Sequence, residues 1–261
     1  MSRMPRPLLL LMFTLGLSAS LKATTTFYAL AFDQTTTPFG TINPTTGAFT
    51  QIGSSFPDAA DDIAVSPAGV VYAVLDSGSL ITINTTTAAI SVIGTLPTGV
   101  QSLAFRPDGT LFGATTTSLY TLNPSTAAGT LLGSMGLGGS DADNIRFDGS
   151  TLFVMTVDTN SRLYSLSQTS GAGTLIGPSG IDDVSLGAFF GGVFYGSNTA
   201  GAQNHIAQIN PATGVGTEGA NTSTEYLFAL APATVPEPAT FLICCAGLVF
   251  LAGKRIVRPT L

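Results

Sequence analysis

The chain has 261 residues, of which 44% are hydrophobic and only 9% are charged. This is enough apolar sequence to bury the core of a domain, and it argues against disorder. Between residues 24 and 234 three arginines stand against fourteen acidic residues, a charge balance that repels phosphate backbones and excludes nucleic-acid binding. The two cysteines, Cys244 and Cys245, are adjacent, so we expect neither a disulfide framework nor a cysteine-rich metal site.

Residues 1–23 have the pattern of a secretory signal peptide. Arg3 and Arg6 form a basic start, an apolar stretch covers residues 8–17, and small residues follow up to Ala23. The apolar stretch is shorter than the roughly 20 residues that a transmembrane helix needs. We therefore predict export. The alternatives are an uncleaved anchor and a buried helix.

Residues 24–232 contain an internal repeat with a period of about 41 residues. Each full copy has four short apolar segments, separated by turns rich in Asn, Pro and Gly, and four short strands at this period are typical of a propeller blade. The first segments of the copies lie at residues 63–67, 103–107, 145–147, 186–188 and 228–232.

The two ends of the repeat array are complementary. The N-terminal copy starts with a second segment at 27–29, whereas the C-terminal copy, 226–232, is only a first segment. Joined in one sheet, the two would complete a fifth blade and remove the exposed strand edges. We therefore predict an all-β fold, a five-bladed β-propeller over residues 24–232 that is closed by its N- and C-terminal strands. A β-solenoid and a β-sandwich are the alternatives, and complementary ends count against the solenoid.

Most acidic residues fall where a first strand starts or a second strand ends, which places them on one face of the predicted ring. The acidic residues nearest the central channel are Asp61, Asp62, Asp141, Asp143, Asp182 and Asp183. Carboxylates in this number suit a hard cation such as Ca²⁺, or a cationic or carbohydrate partner. The alternative is a solvated acidic surface. No segment matches the Asp-x-Asn-x-Asp-Gly pattern of a Ca²⁺ loop, so the identity of any metal stays open.

Arg146 is an exception within the first strands. The aligned positions hold the small residues Ala64, Ala104, Gly187 and Ala229, as expected where strands crowd around an axis. A buried guanidinium needs a carboxylate partner. We predict that Arg146 is buried and paired, with Asp143 and Asp183 as the leading candidates. The alternative is a shifted strand that exposes Arg146 to solvent.

The C-terminal residues 233–261 combine three features in a fixed order. Val235-Pro236-Glu237-Pro238 breaks any preceding structure, residues 239–253 form an apolar run, and Lys254 and Arg255 end it with positive charge. We predict a short transmembrane helix at about 239–253. The alternative is a permanent single-pass anchor that carries the proline motif by chance.

This tail resembles the PEP-CTERM sorting signal of Gram-negative bacterial exports. The resemblance covers only the tail. It implies transient membrane insertion and processing near Pro236-Glu237-Pro238 by the membrane enzyme exosortase. It also implies a final place at the cell surface or in the matrix, in association with exopolysaccharide or biofilm. The propeller segments resemble repeats of exported propellers whose activity is unknown.

The sequence therefore predicts an exported surface or matrix protein whose propeller binds or scaffolds. No set of residues has a catalytic pattern, and we expect neither an enzyme nor a cofactor. The alternative is a carbohydrate-active propeller enzyme at the cell surface, since paired carboxylates hydrolyse glycosides. A buried carboxylate pair in a pocket facing the channel would favour that alternative.

Overall fold

The computed structural model of the protein describes residues 26–32, 36–56, 58–198, 204–222 and 226–233. Within these ranges the chain forms twenty β-strands and no helix, arranged as five four-stranded antiparallel sheets. The predicted signal peptide, and the predicted tail beyond Ala233 with its transmembrane helix, lie outside the described residues.

Each sheet is one blade of a propeller. Blade 1 is built from both ends of the chain, in the order β20 (Tyr226–Pro232), β1 (Phe27–Phe32), β2 (Phe39–Ile42) and β3 (Phe49–Gln51). Blade 2 contains β4 (Ala60–Val65), β5 (Val71–Leu75), β6 (Ser79–Ile83) and β7 (Ile90–Thr95). Blade 3 contains β8 (Ser102–Phe105), β9 (Leu111–Ala114), β10 (Ser118–Leu122) and β11 (Gly129–Ser134). Blade 4 contains β12 (Ala142–Phe147), β13 (Leu152–Thr156), β14 (Arg162–Leu166) and β15 (Gly173–Pro178). Blade 5 contains β16 (Val184–Phe190), β17 (Val193–Asn198), β18 (His205–Ile209) and β19 (Gly216–Asn221).

The ring closes through blade 1, as the sequence predicts. Strand β20 pairs antiparallel with β1, from Phe27 opposite Pro232 to Phe32 opposite Tyr226. The innermost strands β20, β4, β8, β12 and β16 each contact the next around the central axis. The all-β, five-bladed propeller and its closure by the two chain ends are confirmed.

Repeated turn chemistry joins the third and fourth strands of the blades. The side-chain oxygens of Asn43, Asn84, Asn123 and Asn210 each accept a hydrogen bond from the backbone N–H two residues later, at 2.8–2.9 Å. Asn favours this local bond, which fixes the direction of the turn. The same type of turn therefore recurs because the same residue recurs at the end of the third strand.

The hydrophobic core lies between blades. Five clusters of buried side chains occupy the five blade interfaces, and one of them joins blades 1 and 5 through Phe27 and Ile206. Successive side chains of a strand point to opposite faces of its sheet, and each face packs against a neighbouring blade. Each blade therefore needs both neighbours to bury its apolar side chains. The cores of blades 1 and 2, for example, meet through Phe39 and Ile63.

The strand directions define two faces of the ring. We call the face where first strands begin and second strands end the acidic face. It carries Asp58, Asp61, Asp62, Asp76, Asp141, Asp143, Asp158, Asp182 and Asp183. We call the opposite face the terminal face, because β1 begins there at Phe27 directly beside the end of β20 at Pro232.

Candidate functional site

The structure separates the acidic residues that the sequence places on one face. Asp61, Asp62, Asp76 and Asp143 are close enough to influence one another electrostatically. The other predicted residues have different surroundings: Asp182 accepts the backbone N–H of Asn160 at 2.6 Å, Asp183 has a left-handed backbone (φ 47°), and Asp141 is exposed. Asp33 and Glu225 fall outside the described residues, and Glu218 lies on the outermost strand β19, where Asn198 donates to it.

Asp61 and Asp76 form a carboxyl pair on the acidic face. Asp61 lies in β4 at an irregularity in its pairing with β5, and Asp76 follows β5. Asp76 is the neighbour that acts most strongly on Asp61, and two carboxyl groups this close favour a proton on one of them. Burial, followed by the neighbouring Asp76 and the charges of Asp62 and Asp143, raises the pKa of Asp61 to about 7.

Asp143 is the second carboxyl group whose pKa is raised. Burial raises the pKa of Asp143 to about 6, even though the neighbouring Ser185 hydroxyl opposes the rise. Its Oδ2 atom is buried and has no hydrogen-bond partner among the described residues. The raised pKa values of Asp61 and Asp143 could not be foreseen from the sequence. The missing information was the depth to which the inner strands bury these side chains.

Stability should therefore fall as the pH rises from about 4 to 7. A carboxyl group whose pKa is raised by folding binds its proton more tightly in the native state, so folding is favoured at low pH. The effect is lost as the pH passes through the raised pKa values of Asp143 (about 6) and Asp61 (about 7). Urea unfolding at pH 5 and pH 7.5 measures the change, and Asp61→Asn should remove much of it.

Asp141→Asn is the matched control for this experiment, since it removes an exposed charge from the same face. A wild-type protein that gains stability between pH 5 and pH 7.5 would contradict the proposed protonation of Asp61 and Asp143.

A metal site receives no support from the geometry of the acidic face. Among the described residues, no group of three or more His, Cys, Asp and Glu side chains is placed to hold a metal ion. Within this group Asp62 instead binds a guanidinium. The Ca²⁺ interpretation therefore stays without a set of ligands in this part of the chain.

Arg146 is buried and paired, as predicted. Its guanidinium crosses the channel from β12 to Asp62 on β4, with Nη1 2.8 Å from Oδ2 and Nη2 2.5 Å from Oδ1. The Arg146 and Asp62 side chains are only 8% and 0% exposed. Asp62 also accepts the Ser102 hydroxyl and the Leu103 N–H, both at 2.8 Å, while Arg146 Nη1 donates to the Leu103 and Ile145 carbonyls. The pair ties three inner strands together across the channel.

The predicted partners of Arg146 were wrong. Asp143 and Asp183 are carboxylates of the acidic face, but the guanidinium extends past β8 to Asp62. The space for this crossing comes from Ala64 and Ala104, the small residues at the corresponding positions of β4 and β8. Asp62 lies two residues before Ala64, so its side chain enters the same channel.

Two of the aligned small positions also need correction. Ala64, Ala104, Arg146 and Ala231 each pair with an aromatic residue on the adjacent second strand: Tyr72, Phe112, Phe153 and Tyr28, respectively. Ala231 therefore replaces Ala229 in this set. Irregular pairing in β16 and β20 shifts the alignment, and Ala188 rather than Gly187 lines the channel at this level.

An apolar cavity opens on the terminal face. We call it the terminal cavity. It has a volume of about 460 Å³ and is surrounded by Phe105, Phe147 and Phe189 at equivalent positions of three inner strands. Ala64, Ala104, Ala188, Ala231 and Arg146 lie deeper in it, while Pro67, Pro107 and Pro232 line its rim. A concave apolar site of this size suits a ligand or partner group with apolar surface.

Sequence reasoning missed the terminal cavity. Its signal was the recurring small-residue–phenylalanine pair at Ala104-Phe105 and Ala188-Phe189 near the ends of first strands. The pattern indicated the blade repeat, but only the closed ring brings the phenylalanines together around one mouth.

No family model matches the chain, and no curated protein matches it in sequence. Solved structures do resemble it. A chain of a nidogen/laminin complex is 11% identical with a TM-score of 0.58, covering 80% of this chain and 98% of that one. TolB from Acinetobacter baumannii is 12% identical with a TM-score of 0.54, covering 80% and 66%. A protein of unknown function from Bacteroides caccae is 14% identical with a TM-score of 0.53, covering 80% and 99%.

At these identities the likeness shows the fold alone. The chain is a β-propeller protein, and the described strands close a ring of five blades. Within the described ranges, which stop short of residues 239–253, no helix is long and apolar enough to cross a membrane.

Proposed function

We propose that this protein is exported and sorted through its C-terminal tail, and that its propeller is a binding or scaffolding module. The observation that carries the proposal is the way the ring closes. Strand β20 completes blade 1 and ends at Pro232, so the whole tail follows the finished domain and takes no part in the described sheets. The tail is therefore free to act as a separate sorting element, and its removal leaves a complete propeller.

The sorting step rests on the tail sequence. Pro236-Glu237-Pro238 marks the processing site for an exosortase-type membrane enzyme, and residues 239–253 insert transiently with Lys254 and Arg255 on the cytoplasmic side. The protein stays in the inner membrane of a Gram-negative bacterium during sorting and then reaches the cell surface or the extracellular matrix. The resemblance of the tail to PEP-CTERM signals supports this assignment.

The binding role rests on the two ends of the channel. The acidic face presents carboxyl groups around the channel, and the terminal face presents an apolar cavity. A matrix polysaccharide fits the proposed location. Its hydroxyl groups donate hydrogen bonds to carboxylates, and its sugar rings pack against Phe side chains. The propeller then links the cell surface to exopolysaccharide or biofilm.

Replacing Pro236-Glu237-Pro238 with three alanines should leave full-length protein in the inner membrane, because the processing enzyme loses its recognition motif. Membrane fractionation and the mass of the C-terminal peptide measure the outcome. The double variant Thr234→Ala/Thr240→Ala, which flanks the motif, is the matched control and should be sorted normally. If the triple variant has the fractionation and C-terminal mass of the wild type, the tail is a plain anchor.

One observation favours the second candidate, a carbohydrate-active enzyme. Asp61 and Asp143 have raised pKa values, about 7 and about 6, close to ionisable neighbours, as in glycosidases that keep one carboxyl group protonated. The terminal cavity does not include either residue, so the structure does not join these acids to that cavity. Hydrolysis of a polysaccharide by the purified protein, lost in Asp61→Asn, would establish this candidate over the binding module.

A further inference from the structure

The two faces of the propeller differ strongly in charge. The acidic face carries nine aspartates. On the described turns of the terminal face, the charged side chains are Arg106, Asp108 and Asp148, and Arg106 is paired with Asp108 at 2.6 Å. Asp62 is neutralised by Arg146 and Asp158 lies 3.6 Å from Arg162, but the remaining aspartates leave this face negative. A negative surface avoids the anionic head groups of a bacterial membrane, whereas a nearly neutral one does not.

Apolar side chains accompany the low charge of the terminal face. Phe190, at the end of β16, is 47% exposed, and Val70, in the turn between β4 and β5, is 40% exposed. Both lie on the side of the ring where the terminal cavity opens between Pro67, Pro107 and Pro232. Exposed apolar side chains grouped around an apolar mouth indicate a contact surface rather than scattered surface residues.

Both described ends of the chain lie on this face. Residue 26 precedes Phe27, which pairs with Pro232, and Ala233 is the last described residue. Only residues 234–238 separate Ala233 from the apolar run 239–253. Five residues span at most about 18 Å when fully extended. While the run is inserted in a membrane, the terminal face therefore stays near the head groups.

We propose that the terminal face is a lipid-contacting surface. The propeller rests on the membrane through Phe190, Val70 and the mouth of the terminal cavity, while the acidic face points away from the lipid. The proposal rests on the proposed function, because it takes residues 239–253 as the membrane segment. It adds an orientation: during sorting the acidic face is the side open to soluble partners, and the lipid surface covers the terminal cavity.

The chain contains no tryptophan, which allows a direct test. Two single-tryptophan variants of the full chain are reconstituted into vesicles of phosphatidylethanolamine and phosphatidylglycerol, with and without bromine on the acyl chains. Phe190→Trp reports on the terminal face. Val157→Trp is the matched control, because Val157 is 41% exposed and follows β13 on the acidic face. Flotation on a density gradient shows whether each variant is membrane-bound.

Both variants should float with the vesicles. The emission of Phe190→Trp should shift to shorter wavelength and lose intensity with brominated lipid, and that of Val157→Trp should do neither. Flotation without quenching of Phe190→Trp, or with equal quenching in both variants, overturns the orientation and leaves the proposed sorting intact. Failure of both variants to float overturns the membrane role of the tail, and the orientation with it.

Discussion

Deletion of residues 226–232 should turn the propeller into an aggregating chain without a cooperative unfolding transition. Strand β20 is the innermost strand of blade 1 and packs between β4 and β16. Its loss removes the buried side chains of Leu227 and Leu230 and leaves the hydrogen-bonding edge of β1 unpaired. An exposed apolar strand edge is a template for association with other chains. Size-exclusion chromatography and urea unfolding measure both effects.

Deletion of residues 234–261 is the control, because it leaves every described strand in place. This variant should stay soluble and unfold in one transition. A soluble, cooperatively folding protein without residues 226–232 would show that the ring does not depend on its closing strand. The comparison separates the role of β20 from the general effect of shortening the chain.

The blades could be predicted because local chemistry and chain period agree. An apolar segment such as Leu119 to Leu122, followed by Asn123 and a turn, recurs in other blades with the same spacing. The closure of blade 1 was also predictable, since 27–29 lacks a first strand and 226–232 supplies one. Strand length, turn residues and edge protection all favour one arrangement, so little tertiary information was needed.

The contacts inside the channel could not be predicted in the same way. Their geometry depends on irregular pairing in β4, β16 and β20, which shifts side chains by a residue relative to the repeat. Such an irregularity has no clear sequence signature, so Gly187 and Ala229 were aligned with Ala64, and Asp62 was not recognised as the partner of Arg146. The raised pKa values of Asp61 and Asp143 depend on burial, which also follows only from the closed ring.

Arg146→Ala should destabilise the propeller by about 3–5 kcal/mol, the cost of removing one partner from a buried ion pair. Asp62 would keep its charge in the channel with no guanidinium to balance it, and its side chain is 0% exposed. The Leu103 and Ile145 carbonyls would lose the donor that Arg146 supplies at 3.1 and 2.7 Å. Urea unfolding at constant pH measures the change in the free energy of unfolding.

Arg106→Ala provides the matched control, because Arg106 also pairs with an aspartate but does so at the surface. Its partner Asp108 is 55% exposed, and exposed ion pairs contribute little to stability. Asp62→Ala should also destabilise strongly, since it leaves Arg146, the Ser102 hydroxyl and the Leu103 N–H without their acceptor. The double variant Arg146→Ala/Asp62→Ala should lose less stability than the sum of the two single variants, because the residues interact directly. If Arg146→Ala costs no more than Arg106→Ala, the pair does not hold the inner strands together.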